Sequence, residues 1–250
     1  MKQGLIEKVS TNKELPKTML EVYRSLGYMN YKFGCSNSHI NNYTNICLIT
    51  KSLNGLDWNP EINKEIELFY PYFEWNNSSG RFNFFDCGRN ENYYNANFPF
   101  GFKSEKLAIY AGKTFIEQYN KWLIIPENKT KLIEEVDYQE IKTMSDVYRL
   151  NGITKLTTLP ETKERHYEDL ILVAKSFNGN WKPDWNDNNE NKCFPHFQFS
   201  SEFRFSHAYT FYMCKHTNSD IGSRLCFKNK QIAEYAGKTF FEQYEKLMKF

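Results

Sequence analysis

The triplet Gly-Lys-Thr occurs twice, at Gly112 to Thr114 and at Gly237 to Thr239, and it is the first pattern in the chain that could do chemistry. A phosphate-cradling loop also needs a glycine five positions before the Gly-Lys pair, so that backbone amides can wrap the oxygens. Leu107 and Ile232 stand there instead. Both triplets fall inside an apolar helical pattern whose amides are already committed, so nucleotide binding is not expected. Cys193, His196, His207, Cys214 and His216 offer soft metal donors, but their spacing is that of no zinc finger. Phe69 and Tyr72 occupy the corresponding positions of Cys193 and His196 earlier in the chain, so the fold is expected to need no metal there. The six cysteines, Cys35, Cys47, Cys87, Cys193, Cys214 and Cys226, form no matched framework, which points to a reducing compartment. There is no Gly-x-Ser-x-Gly elbow, no His-Glu-x-x-His and no recurring carboxylate pair. The expectation is a protein that is not an enzyme and uses no cofactor.

Tryptophan is the remaining chemistry. An exposed indole stacks on a sugar or a base, whereas a buried one fills a helix–sheet seam. Trp58 and Trp185 recur after matching Asn-Gly pairs and read as seam residues. Trp181 and Trp75 are the binding candidates, together with the strand tyrosines Tyr93, Tyr94, Tyr209 and Tyr212.

These residues sit on a sequence that repeats itself. Tyr110-Ala-Gly-Lys-Thr-Phe-Ile-Glu-Gln-Tyr119 returns as Tyr235-Ala-Gly-Lys-Thr-Phe-Phe-Glu-Gln-Tyr244, and Lys17-Thr-Met-Leu-Glu-Val-Tyr-Arg24 as Lys142-Thr-Met-Ser-Asp-Val-Tyr-Arg149, both displaced by 125. Lys51-Ser-Leu-Asn-Gly55 and Tyr70-Pro-Tyr-Phe73 return 124 positions later as Lys175-Ser-Phe-Asn-Gly179 and Phe194-Pro-His-Phe197. Conserved order and spacing argue for two tandem domains, 1–125 and 126–250, joined at the Pro-led stretch Ile125 to Thr130.

Each copy reads helix, helix, strands, helix. The first helix is expected from about Pro16 to Leu26 and Tyr138 to Leu150, ending at Gly27 or Gly152, where a left-handed cap belongs. The second runs from about Asn41 to Leu53 and Glu161 to Phe177. Aromatic runs around Phe69 to Trp75, Phe82 to Phe85, Phe194 to Phe199 and Phe203 to Tyr212 favour strands. A closing helix capped by Ser104 or Asn229 carries the face Leu107, Ala111, Phe115, Tyr119 and Trp122, repeated by Ile232, Ala236, Phe240, Tyr244 and Leu247. Gly112 and Gly237 fall inside that helix and imply a tight helix contact. The fold class is therefore α+β: a tandem duplication of a small domain with three helices packed on a mostly antiparallel, aromatic-rich sheet.

Composition limits the partners. The 250 residues carry 32 Lys and Arg against 30 Asp and Glu, a net +2, so no global field favours nucleic acid or an anionic membrane. Phe, Tyr and Trp make up 17% of the chain and supply much of its apolar material. No apolar run approaches a membrane span, and the first ten residues lack the apolar centre of a signal peptide.

The words Asn178-Gly-Asn-Trp-Lys-Pro-Asp-Trp185, Phe194-Pro-His-Phe197, Gly222-Ser-Arg-Leu-Cys-Phe-Lys228 and Ala233-Glu-Tyr-Ala-Gly-Lys238 resemble a module met repeatedly in proteins of Bacteroides phages, including the crAss-like phages. The resemblance covers most of the second copy; the first keeps only Gly101-Phe-Lys103 of the third word. It implies a phage protein with an α+β module and brings no catalytic residues. The expected function is a virion structural or accessory protein, tail-associated or at the head–tail junction, made in the host cytoplasm and bound to other phage structural proteins. A carbohydrate-binding module for host recognition, with a glycan as partner, is the alternative, and an intracellular phage effector or enzyme the second alternative. The segments Asn76 to Gly101 and Ser200 to Gly222 diverge most between copies and read as recognition loops.

Overall fold

The computed structural model describes residues 14–28, 38–58, 67–90, 93–94, 100–124, 136–153, 162–200, 204–213, 216–218 and 225–248. The fold is mixed α+β. Helices α1 (Met19–Ser25) and α2 (Ser38–Asn54) precede strands β1 (Leu68–Asn76), β2 (Arg81–Asn90) and β3 (Tyr93–Tyr94), and helices α3 (Glu105–Thr114) and α4 (Ile116–Leu123) follow. Then α5 (Met144–Leu150) and α6 (Lys163–Asn178) precede β4 (Lys192–Ser200), β5 (Arg204–Met213) and β6 (His216–Asn218), and α7 (Lys230–Thr239) and α8 (Phe241–Met248) follow. The proposed linker at Ile125 to Thr130 lies outside the described residues.

Short polar signals set the helix ends. The Thr18 hydroxyl accepts the Glu21 N–H to start α1, and at α5 Thr143 and Asp146 form a reciprocal capping box. These caps place both starts later than Pro16 and Tyr138; Tyr138–Glu140 is a separate 3-10 turn, because Thr143 and not Tyr138 caps the helix. Gly27 and Gly152 follow the two helices with φ of 82° and 70°, a conformation that side chains resist.

The expected single closing helix is in fact two, so among the described residues each half has four α-helices. Phe115, with φ −108° and ψ 25°, ends α3 and starts α4, and Phe240 does the same between α7 and α8. Both rings are buried, so the apolar period of about four residues runs through the break and hides it in the sequence. Gly112 also differs from expectation: it faces the sheet, not a helix. A Cβ there would lie 2.4 Å from a ring carbon of Phe84 and 2.8 Å from Pro71 Cβ.

The strands form two three-stranded sheets, in the orders β2-β1-β6 and β3-β4-β5, with every pairing antiparallel. Each sheet is completed by a strand from the other half: β6 pairs with β1 through Tyr72–Asn218, Phe73–Thr217 and Glu74–His216, and β3 pairs with β4 through Tyr93–Gln198 and Tyr94–Phe197. The segments expected to be recognition loops, Asn76 to Gly101 and Ser200 to Gly222, therefore contain β2, β3, β5 and β6. The described parts of those segments are largely strand, in keeping with the preference of aromatic residues for a pleated backbone.

An asparagine clamp fastens each sheet to its helices. Asn54 Nδ2 donates to Gly101 O at 2.9 Å and its Oδ1 accepts Lys103 N at 2.9 Å; Asn178 does the same with Cys226 O at 2.7 Å and Lys228 N at 3.1 Å. One core cluster runs across the halves, with Tyr43 stacked on Tyr167 at 4.2 Å and Trp122 Nε1 donating to the Tyr167 hydroxyl at 2.7 Å. A second cluster, including Val147, Phe177, Phe227 and Phe240, belongs to the second half alone. No described helix is long and apolar enough to cross a membrane.

Candidate functional site

Two places stand out, and two of the six binding candidates, Trp75 and Trp181, meet at the first. The loop between α6 and β4 folds around the ammonium of Lys192, whose side chain is 0% exposed. Its Nζ donates to the carbonyls of Asp184 (2.5 Å), Asp187 (3.1 Å) and Glu190 (3.0 Å) and lies 3.2 Å from the Glu190 carboxylate. A buried charge is costly unless fully paired, and three carbonyls match the three N–H bonds of an ammonium. Trp185 caps this arrangement, its ring centroid 5.4 Å from Nζ.

Glu190 also orders the loop: its carboxylate accepts Trp181 Nε1 at 2.8 Å and Asp184 N at 2.7 Å. The loop then docks on the β1–β2 hairpin of the other half. Trp75 Nε1 donates to Asn186 Oδ1 at 2.8 Å, and Trp185 packs edge-on against Phe82 at 5.1 Å. Trp75 and Trp181 are thus brought to one seam, both half-buried, with both indole N–H groups bound inside the protein. Trp185 is buried within the seam, and Trp58 is half-buried against the core. On β5, Tyr212 pairs with Cys193, next to Lys192, and Tyr209 with His196; on β3, Tyr93 and Tyr94 pair with Gln198 and Phe197, further along β4. The side chains of these four tyrosines lie outside the described residues.

The second place is on α1. A groove of about 560 Å³ runs between α1 and the end of α2, lined by Leu15, Leu26 and Leu56 with Lys17, Glu21 and Arg24. Leu56 is 62% exposed, Leu20 54%, Tyr28 41% and Leu15 37%. Leu20 lies four residues before Arg24 on α1, hence on the same helix face as that groove-lining residue. At the positions that the sequence repeat aligns with Leu15, Leu20 and Leu56, the second half carries Glu140, Ser145 and Asn180. The charges differ as well. Lys17 is held by Glu14 at 2.7 Å, and Glu21 accepts the Lys17 N–H at 2.6 Å, whereas the Arg24 side chain has no partner among the described residues. Its counterpart Arg149 lies 3.6 Å from Asp146.

Elsewhere, several thiols and phenols are enclosed. Burial pushes the Cys87 thiol up to about 12, raises Cys226 further, and raises the hydroxyls of Tyr119 and Tyr244. Thiols so shifted are not nucleophiles near neutrality. Of the five metal-donor candidates, Cys193 and His196 are buried on β4; Cys214 and the side chains of His207 and His216 lie outside the described residues. Among the described residues no three His, Cys, Asp or Glu side chains are grouped to hold a metal ion. The Gly-Lys-Thr triplets close α3 and α7.

Neither Lys192 nor the leucine groove was singled out by motif reasoning. The signal was present in the repeat itself, as Leu68 against Lys192 on matching strands and as three leucines against three polar residues. No protein-family model, curated protein or solved structure matches the chain.

Proposed function

We propose that the chain is a non-enzymatic accessory protein of a bacteriophage particle, tail-associated or at the head–tail junction, which acts through protein–protein contacts. The carrying observation is the leucine face on α1 and the end of α2. Apolar side chains exposed together beside a groove mark an interaction surface more often than they occur by chance on a monomer. The phage assignment rests on the resemblance of the second copy. Mass spectrometry of purified phage particles tests it: the chain is expected among the particle proteins, and its absence from them, with presence in the infected-cell lysate, would favour the intracellular alternative.

The reading includes a tandem duplication, with 1–125 and 126–250 descending from one module of helices packed on an antiparallel, aromatic-rich sheet. Support comes from features that recur at the repeat spacing. They are the asparagine clamps, the register shifts after Tyr72 and His196, and the bridges Phe69–Phe102 and Cys193–Phe227. The tilted ring pairs Phe73–Tyr119 and Phe197–Tyr244, both at 4.7 Å, also recur. Bivalence would let two weak contacts act as one strong one.

Glycan binding is the second reading, favoured by the half-buried Trp75 and Trp181 at one seam beside exposed Asn186. A glycan array decides it: binding lost in Trp75→Ala and Trp181→Ala supports it, and no signal removes it.

A further inference from the structure

We infer that the groove between α1 and the end of α2 docks a short apolar segment of a partner protein, and that this segment carries an acidic side chain which pairs with Arg24. The inference rests on the protein-contact reading above and names the chemistry of the partner. Three observations carry it. Leu15, Leu26 and Leu56 line the groove, and Leu56 together with Leu20, on the helix beside it, is more than half exposed, so the surface offers apolar area that water covers poorly. The charges along it are not equivalent. Lys17 Nζ is paired with Glu14 and the Glu21 carboxylate accepts the Lys17 backbone N–H, whereas the Arg24 guanidinium has no hydrogen-bond or ion-pair partner among the described residues. A guanidinium presents a planar fork that a carboxylate matches with two hydrogen bonds, and arginine is enriched at interfaces for that reason.

The third observation is the contrast within the molecule. At the aligned positions the second half replaces the leucines by Glu140, Ser145 and Asn180, and it keeps its arginine, Arg149, within reach of Asp146. The helix, its threonine cap and its terminal glycine persist in both halves, so packing does not demand leucine at positions 20 and 56. What the first half adds beyond the fold is an apolar face beside an arginine that has no partner among the described residues.

The experiment selects binders of the full-length chain from a displayed library of random peptides, then measures affinity of one enriched synthetic peptide. Enriched sequences are expected to share apolar residues with an Asp or Glu at a fixed offset. The double variant Leu20→Ser with Leu56→Asn, which installs the second half's own residues, should weaken binding at least about tenfold. Arg24→Glu should weaken it about tenfold, and a peptide with Lys in place of its acid should regain affinity for Arg24→Glu alone. Circular dichroism melts verify that each variant folds. Peptides that bind the groove but lack an acid, or ignore Arg24→Glu, overturn the inference and leave the protein-contact reading standing. No enrichment, or binding indifferent to the leucine variant, overturns both. If sedimentation shows the parent self-associating and the leucine variant monomeric, the occupant is a second copy and the inference is wrong.

Discussion

Leu68 and Lys192 open strands β1 and β4 at the same register, and both are fully buried, yet one is a hydrocarbon and the other an ammonium. Leu68 packs so closely on Gly101 that a Cβ there would lie 2.9 Å from it. Lys192 reaches into the loop before its strand and collects that loop's carbonyls. Strand position therefore fixes burial, and the adjacent loop fixes chemistry. The same holds at the surface, where α1 and α5 share cap, length and terminal glycine but differ in what they show to solvent. Matching elements of the two halves thus keep their caps and lengths while their exposed residues differ.

The largest way to break this contrast is Lys192→Leu, which makes the second strand start like the first. It leaves three carbonyls without their donor and the Glu190 carboxylate without its cation, and we expect a loss of about 3–5 kcal/mol in urea unfolding. A variant as stable as the parent would show that the loop needs no internal cation. Next is Gly112→Ala. The new methyl collides with Phe84 and Pro71, at a cost of about 1–3 kcal/mol that outweighs the roughly 1 kcal/mol of helix propensity gained. A rise in melting temperature would mean that the Phe84 ring simply moves aside.

A smaller effect tests the seam between halves. Trp75→Phe keeps a ring and deletes the N–H that Asn186 accepts, which should cost about 0.5–1.5 kcal/mol. Combined with Asn186→Ala in a double-mutant cycle, the two losses should be less than additive; full additivity would mean that the bond contributes nothing.

The smallest difference lies in the helix caps. Thr143→Ala should cost about 0.5 kcal/mol more than Thr18→Ala, because only Thr143 is part of a closed capping box. The Thr143 hydroxyl, helped by backbone N–H groups, holds the Asp146 carboxyl below its ordinary range. A depressed carboxyl stabilises the fold above its unfolded pKa and loses that contribution as pH falls through the folded value. The gap between the two variants should therefore close below about pH 4, and unfolding curves at low pH that keep it open would contradict the box.

Much of this was legible because local rules and repetition agree. Ser104, Asn229, Gly27 and Gly152 mark helix ends through backbone chemistry that leaves a sequence trace, and the aromatic runs mark strands. The break at Phe115 left none, since a buried ring on the same apolar face continues the period. The exchange of β3 and β6 between sheets was also hidden: short strands pair by tertiary geometry that no local pattern encodes. Trp75 and Trp181 were legible as residues of interest, but not their hydrogen bonds to Asn186 and Glu190, which join segments far apart or bend one loop on itself.

The central claim is that the first half's leucine face contacts a partner protein and the second half's aligned face does not. A photo-crosslinking amino acid placed singly at positions 20, 56, 145 and 180 of the full chain, irradiated in cells that express it, reads this directly. Positions 20 and 56 should each yield one and the same crosslinked protein, with none at 145 and 180. Equal crosslinking at all four positions, or none at 20 and 56, would contradict the account.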